Sequence, residues 1–549
     1  MRLHTVLSWV YALGGNSVYH TMARDSSSGP PSKAQEMINT DYTTVVPDTG
    51  VTREYWLAID ELNLAPDGVS RPVMAVNGTI PGPTIYADWG DEVVIHVTNN
   101  LHHAENGTSI HWHGIRQNYT NQNDGVVSVT QCPSPPGSTF TYKWRAVQYG
   151  STWYHSHIGL QAWEGVFGGV VINGPASANY DHDVGTVILS DWSHQTADEL
   201  YTYAQTVGPV PMDNGLINGT NVWNNQGSRF QMKVQKNQSY RIRLVNAAID
   251  TVFKFMIDNH TLTVISSDLV PIKPYTADFV TIAMGQRYDV IVTANQQRIA
   301  DDFWIRSIPQ TACSANNSRI DDIKGILHYN HRAGTPTTSA WDYVDGCIDE
   351  TNLVPVVAKN VGTADFMTLE DVTLGSNADD LFRWELNSTT MLVSWEDPTL
   401  LQIHENTTSF PASSGVIELP QANEWFYLFI NTSFVVTHPV HLHGHDFFIL
   451  SQGPNPYNGT LNTKNPPRRD TALLEGQGHL LIAFQTDNPG AWLMHCHIGW
   501  HVEEGFALQF VERESEIEDV IDYKSLKSNC GSWRAYDTKF DIQQIDSGV

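Results

Sequence analysis

The 549-residue chain is 41% hydrophobic and only 16% charged, which excludes a disordered polymer and predicts globular domains. At roughly 150 residues per domain, the length suggests three or four of them. A formal net charge of −28 argues against nucleic acid or an anionic membrane surface as partner. It suits solubility and offers cations a weak attraction.

At the N-terminus, Arg2 precedes a short apolar run over 6–13, which reads as a signal peptide within a leader of about 25 residues. No small-x-small cleavage site stands out. Elsewhere no run approaches ~20 apolar residues, so no transmembrane helix is expected. Eleven N-x-S/T sequons, from Asn77 to Asn458, together with the leader point to a secreted glycoprotein.

Beyond the leader the pattern is strand after short strand. Val93, Ile95 and Val97 alternate with polar neighbours before Asn99–Asn100, and Phe230, Met232 and Val234 do the same. Tyr240, Ile242 and Leu244 alternate with Arg241 and Arg243, and Tyr288, Val290 and Val292 follow the same period. Runs of period two bounded by Gly, Asn and Pro predict an all-β chain of sandwiches or barrels. A short repeat, Val76-Asn77-Gly78-Thr79, Ile217-Asn218-Gly219-Thr220 and Leu386-Asn387-Ser388-Thr389, suggests three copies of one unit. Gly174-Pro175-Ala176-Ser177 and the stretch 332–340 read as linkers, giving expected domains at 45–175, 176–340 and 341–549.

Five cysteines occur, Cys132, Cys313, Cys347, Cys496 and Cys530. Setting Cys496 aside as a metal ligand leaves an even four, which allow three pairings. Cys313–Cys347 would close a moderate loop, with Cys132–Cys530 tying the first third to the tail. Free buried thiols are the other reading, less suited to an oxidising compartment.

The chemistry is concentrated in histidines. Four His-x-His pairs are present, His111/His113, His155/His157, His441/His443 and His495/His497. On a strand, residues i and i+2 share a face, so each pair presents two imidazoles together. Cys496, between His495 and His497, would then face the other side. Two pairs lie in the first third, two in the last and none in the middle, which places a metal cluster between the first and third domains. A thiolate with imidazoles suits copper better than magnesium or calcium. His438, Cys496 and His501 would form a trigonal His₂Cys site, leaving eight histidines to hold three metals as three, three and two.

These segments, His111-Trp112-His113-Gly114, His155-Ser156-His157, His438-Pro439-Val440-His441-Leu442-His443-Gly444 and His495-Cys496-His497-Ile498-Gly499-Trp500-His501, resemble the four copper motifs of the multicopper oxidases, and among them the ascomycete fungal laccases. The resemblance runs from about Thr52 to Val549. It implies three cupredoxin-like Greek-key β-sandwich domains and four copper ions. His438, Cys496 and His501 would hold type 1 copper, and His111 and His441 type 2. His113, His155, His157, His443, His495 and His497 would hold the type 3 pair. Phe506 falls at the axial position of type 1 copper; it cannot coordinate, so Cu(I) gains relative to Cu(II) and the potential should rise. The Glu503-Glu504 pair would offset part of that rise.

Asp250 matches an acidic residue that laccases place in the phenol pocket, where a carboxylate can accept the phenolic proton. Asp124 matches a carboxylate beside the three-copper cluster and would relay protons to reduced oxygen, although Asp-Gly is also a common turn pair. The last residues, Asp546-Ser547-Gly548-Val549, are similar to the processed tail of ascomycete laccases, which acts as a C-terminal plug. His445 matches no family ligand. The resemblance implies a secreted, monomeric oxidase of phenols and aromatic amines that reduces O₂ to water. The alternatives are a metal-ion oxidase of ferroxidase type and a copper-binding protein without turnover.

Overall fold

The computed structural model describes residues 37–102, 107–407, 409–544 and 546–549. The expected leader and the sequon at Asn106 lie outside the described residues.

Six sheets pair into three β-sandwiches. In the first, strands Arg71–Val76, Thr52–Leu64, Glu92–Asn99 and Thr139–Arg145 face Gly82–Asp88, Phe167–Asn173, Gly150–His155 and His111–Trp112. The middle sandwich sets a six-stranded sheet centred on Ser239–Asn246 and Arg287–Thr293 against a five-stranded one. The third does likewise: its five-stranded sheet runs Val416–Leu419, Ala507–Glu512, Gly490–Cys496, His438–Leu442, Thr471–Leu474. The predicted alternation holds in Glu92–Asn99, where Val93, Ile95 and Val97 are buried against the first core.

The repeated Asn motif is one turn used three times. Asn77, Asn218 and Asn387 adopt φ of 49°, 50° and 48°, and each turn closes a bridge, Val76↔Thr79, Ile217↔Thr220 and Leu386↔Thr389. Asparagine tolerates this left-handed conformation better than most residues. In the first and third copies the Asn amide also spans the neighbouring strand. Asn77 accepts from Ala58 N at 2.6 Å and donates to Trp56 O at 3.0 Å; Asn387 bonds Asp371 N and Leu369 O in the same way.

Two features depart from the expected pattern. Arg241 and Arg243, on the polar phase of their strand, are buried at the boundary between the first and middle sandwiches. Arg241 pairs with Asp289, while Arg243 pairs with Asp183 and donates to Ser151 Oγ at 2.8 Å. The all-β chain also ends in a helix, Tyr523–Phe540, begun by Asp522, whose carboxylate accepts from Lys524 N and Ser525 N. Leu526, Cys530 and Trp533 form its buried stripe at helical spacing.

That helix is pinned to the first sandwich by the Cys132–Cys530 disulfide; Cys313–Cys347 is the other, and Cys496 is free and buried. Val126, Val127, Val129 and Ile158 pack in one core with Leu493, Val502, Trp533 and Val549. This shared core holds the first and third sandwiches face to face. Among the described residues no helix is long and apolar enough to cross a membrane.

Candidate metal centre

The histidine motifs sit where strands end at the contact of the first and third sandwiches. Antiparallel register sets His111 opposite His155 in the first and His441 opposite His495 in the third. The second histidine of all four pairs, His113, His157, His443 and His497, lies just past its strand end. Each pair still shares a direction, with ring centroids 5.8 Å apart for His111/His113 and His155/His157, 4.7 Å for His441/His443 and 5.5 Å for His495/His497.

Eight imidazoles therefore converge; their tightest ring contacts are His113–His441 at 3.8 Å and His111–His443 at 4.0 Å, and the groups implied by the motif resemblance lie together within the cluster. His157, His443 and His495 form one trio with centroids 5.2, 5.3 and 5.4 Å apart. His113, His155 and His497 form another at 5.7, 5.1 and 5.5 Å. His111 and His441 complete the set at 5.8 Å. Both trios and the pair draw on both sandwiches, so neither sandwich alone builds the cluster.

The nitrogens suit metal. Nε2 of His111, His155, His157, His441, His443 and His495, Nδ1 of His113 and both ring nitrogens of His497 are buried without a hydrogen-bond partner. Unpaired buried polar atoms are costly, and their convergence is the signature of a metal site. The opposite nitrogens are mostly engaged. His111 Nδ1 donates to Asp124 O at 2.8 Å, His155 Nδ1 to Ser156 O at 2.8 Å, His441 Nδ1 to Asp470 O at 2.9 Å and His495 Nδ1 to Cys496 O at 2.9 Å. His443 Nδ1 donates to Asp124 Oδ2 at 2.9 Å, so Asp124 lies within the cluster's surroundings. Burial lowers His113, His155, His157, His441, His443 and His497 well below the ordinary imidazole range, and His495 to about 4. Neutral imidazole is the form that binds metal.

Cys496 faces the other way. Its Sγ lies 3.7 Å from His438 Nδ1 and 3.6 Å from His501 Nδ1, which are 3.2 Å from each other. Burial raises the Cys496 thiol well above its usual value, so a metal entering here displaces a proton. Phe506 is fully buried, with its ring 5.0 Å from that of His438, and its carbonyl accepts from Cys496 N at 3.1 Å. Trp384, which the sequence did not single out, covers the site, 4.9 Å from the His438 ring and 4.4 Å from the His501 ring.

Asp250 is buried beside the helix Gly499–Glu503 that carries His501: the carbonyl of its neighbour Ile249 accepts from Gly499 N at 3.0 Å. A second carboxylate, Asp191, missed in the sequence, accepts from Ile249 N, Asp250 N and Thr251 Oγ1 and so shapes this loop. Burial raises Asp250 well above the carboxylate range, with Asp191 and Glu504 adding to the rise.

Glu503 and Glu504 follow His501 on the same helix end. Both are buried, and burial raises Glu503 well above the usual range and Glu504 to about 8. Burial thus disfavours the ionised form of both carboxyls and weakens the offset to Phe506 expected of the pair. His445 stays outside the cluster, 3.0 Å from Glu512. The tail is packed: Ser547 N donates to Glu503 O at 3.1 Å, Ser547 Oγ to Val502 O at 2.8 Å, and Val549 is buried. Asp546 lines a cavity of about 900 Å³ with Glu503, Gly159, Gln161 and Asp198.

The multicopper oxidase family matches in three stretches, 58–177, 183–332 and 386–516, one in each sandwich. Laccase-2 of Botryotinia fuckeliana is 46% identical over 93% of this chain and 91% of its own length. Laccase-1 of the same fungus is 47% identical over 94% and 91%. The crystal structure of the laccase from Botrytis aclada superposes with a TM-score of 0.89 at 45% identity, covering 93% of this chain and 97% of that one. Fet3p, described as a multicopper oxidase that functions in iron import, superposes at 0.80 with 28% identity, covering 90% and 96%. The chain belongs to the multicopper oxidases. Within that family it is a laccase-like, copper-dependent enzyme.

Proposed function

We propose that the chain is a secreted, monomeric oxidase that takes single electrons from phenols and aromatic amines and delivers four to O₂, giving two waters. One observation carries the reading. Cys496 meets His438 and His501 on one side of a strand end, while its neighbours His495 and His497 belong to the two histidine trios on the other. Copper, when bound, supplies the one-electron redox chemistry at both places. His438, Cys496 and His501 would hold a type 1 ion and His111 and His441 a type 2 ion. The trios would hold a type 3 pair, four ions in all. The peptide 495–497 then gives a covalent path between the two centres.

The protein's own contributions are electrostatic and acid–base. Phe506 offers no ligand atom, which leaves a thiolate and two imidazoles and favours a high potential. Asp250, beside the His501 helix, accepts the phenolic proton as the electron leaves. Asp124, bonded to His111 and His443, orients both rings and passes protons toward the site of oxygen reduction.

A metal-ion oxidase needs ionised carboxylates at the donor site. Asp191, Asp250 and Glu504 are buried, and Asp191 is already engaged by Ile249 N, Asp250 N and Thr251 Oγ1, which supports an organic donor over a cation. Two disulfides and the sequons support secretion. Oxygen uptake by the copper-loaded protein is the test, with a phenol, an aromatic amine and Fe(II) compared side by side. Faster turnover of the organic donors is expected. Preference for Fe(II) would install the metal-ion reading, and no uptake with any donor would remove the enzymatic one.

A further inference from the structure

The middle sandwich supplies none of the clustered imidazoles, yet it reaches them. Gly285, at φ +81°, lies so close that an added Cβ would sit 2.9 Å from His497 Cδ2 and 3.0 Å from His113 Cε1. Two residues on, Arg287 is completely buried and grips Asp470 of the third sandwich through both guanidinium arms, at 2.5 Å each. Gly114, which follows His113, makes room for this pair: a Cβ there would lie 2.4 Å from both Arg287 Nη2 and Asp470 Oδ2.

Asp470 in turn faces two histidines from different sandwiches. His113 Nε2 lies 3.3 Å from Asp470 Oδ1 and 3.2 Å from Thr471 Oγ1, whose hydroxyl donates to Asp470 Oδ1 at 2.9 Å. His441 Nδ1 donates to the Asp470 carbonyl at 2.9 Å. With its hydrogen given to Asp470, the Thr471 hydroxyl can only accept from His113, and the nearby carboxylate also only accepts; together they fix the proton of His113 on Nε2 and leave Nδ1 as the free ligand atom. His113 is thus turned opposite to His111, His155, His441, His443 and His495, whose free nitrogen is Nε2.

We infer that Arg287 is a positioning residue for the histidine cluster: by clamping Asp470 it selects the nitrogen His113 presents and makes the middle sandwich a required third wall of the site. A bidentate fork fixes the carboxylate plane as well as its charge. Asp268, which accepts from Asp470 N at 3.1 Å and lies 3.5 Å from Arg287, balances the buried cation. The inference rests on the reading of the eight histidines as a copper cluster.

The test uses the full-length chain with Arg287→Lys and Arg287→Met, and Arg243→Met as a control. Arg243 is equally buried between sandwiches but pairs with Asp183 and Ser151. Copper per chain, the type 2 electron paramagnetic resonance signal, blue absorption and thermal midpoint are measured for each. Outer partners of metal ligands are typically worth about 10–100-fold in affinity. Arg287→Met should therefore lose cluster copper to a chelator about tenfold faster or more, with an altered type 2 signal and retained blue colour. Arg287→Lys should fall between it and the parent, and Arg243→Met should lower the thermal midpoint without selective copper loss. Parent-like copper and spectrum in both Arg287 variants would overturn the inference. So would copper loss shared equally by the blue site and the control. A parent chain that holds no cluster copper would overturn this inference and the cluster reading together.

Discussion

Asp124 and His443, from sandwiches at opposite ends of the chain, meet at 2.9 Å, while the Asp124 carbonyl accepts from His111 at 2.8 Å. One residue thus sets the tautomer of a histidine in each terminal sandwich. Asp124→Asn would turn an amide N–H toward an imidazole N–H or force the ring to flip. Copper affinity of the cluster should fall about 10–100-fold, with blue absorption from Cys496 retained. Copper counting beside the visible spectrum checks this; an unchanged count would show that His443 is held by packing alone.

Phe506 fills the space next to His438 with a ring that cannot ligate. Phe506→Met puts a thioether there and should lower the type 1 potential, slowing oxidation of poor donors before good ones. Redox titration of the blue band reads the shift directly. A potential equal to or above the parent's would mean that Phe506 acts only by filling the core.

Asp250 carries the pH dependence expected of phenol oxidation. Its carboxyl is raised by burial and must be ionised to accept a proton, so phenol turnover should climb as pH rises through that raised value. Asp250→Asn should remove this acid limb and slow phenols by about 10²-fold or more. A donor that loses no proton on oxidation should be nearly unaffected. Equal losses on both donors would point to a damaged pocket and not to a missing base.

Glu504 should make the fold less stable as pH rises. Burial lifts its folded value to about 8 from an ordinary 4.5, so across that window the folded chain keeps a proton that the unfolded chain has released. Stability is then fully present below about 4.5 and is lost toward 8. Glu504→Gln should melt higher than the parent near the top of the window and match it below 4.5. Scanning calorimetry at the two extremes decides; a pH-independent difference would exclude titration as the cause.

Much of this site is legible along the chain because copper ligands are few in kind and strands place i and i+2 together. The His-x-His pairs and the Cys496 motif gave the metal, the histidine count the 3, 3, 2 division, and the motif resemblance the family and the assignment of each ligand. The alternation around Val93, Ile95 and Val97 gave the β class. The burial of Arg241 and Arg243 was not legible, since a polar phase looks the same whether it meets water or buried aspartates and the face of a neighbouring sandwich. The helix Tyr523–Phe540 escaped notice because its Leu526, Cys530 and Trp533 stripe is short and its other residues are polar.

The sequence by itself determined which side chains can bind copper, which strand face each occupies and where sandwiches begin to repeat, because these depend on residue type and local period. Only the tertiary structure decided how the ligands come together, which nitrogen each presents and which carboxylates are buried. Those depend on register, as in His441 opposite His495, and on burial between domains, as at Glu504. The same holds for Arg287 and Asp470, 183 residues apart. Nothing local marks their pairing; the packing of the middle sandwich against the third creates it.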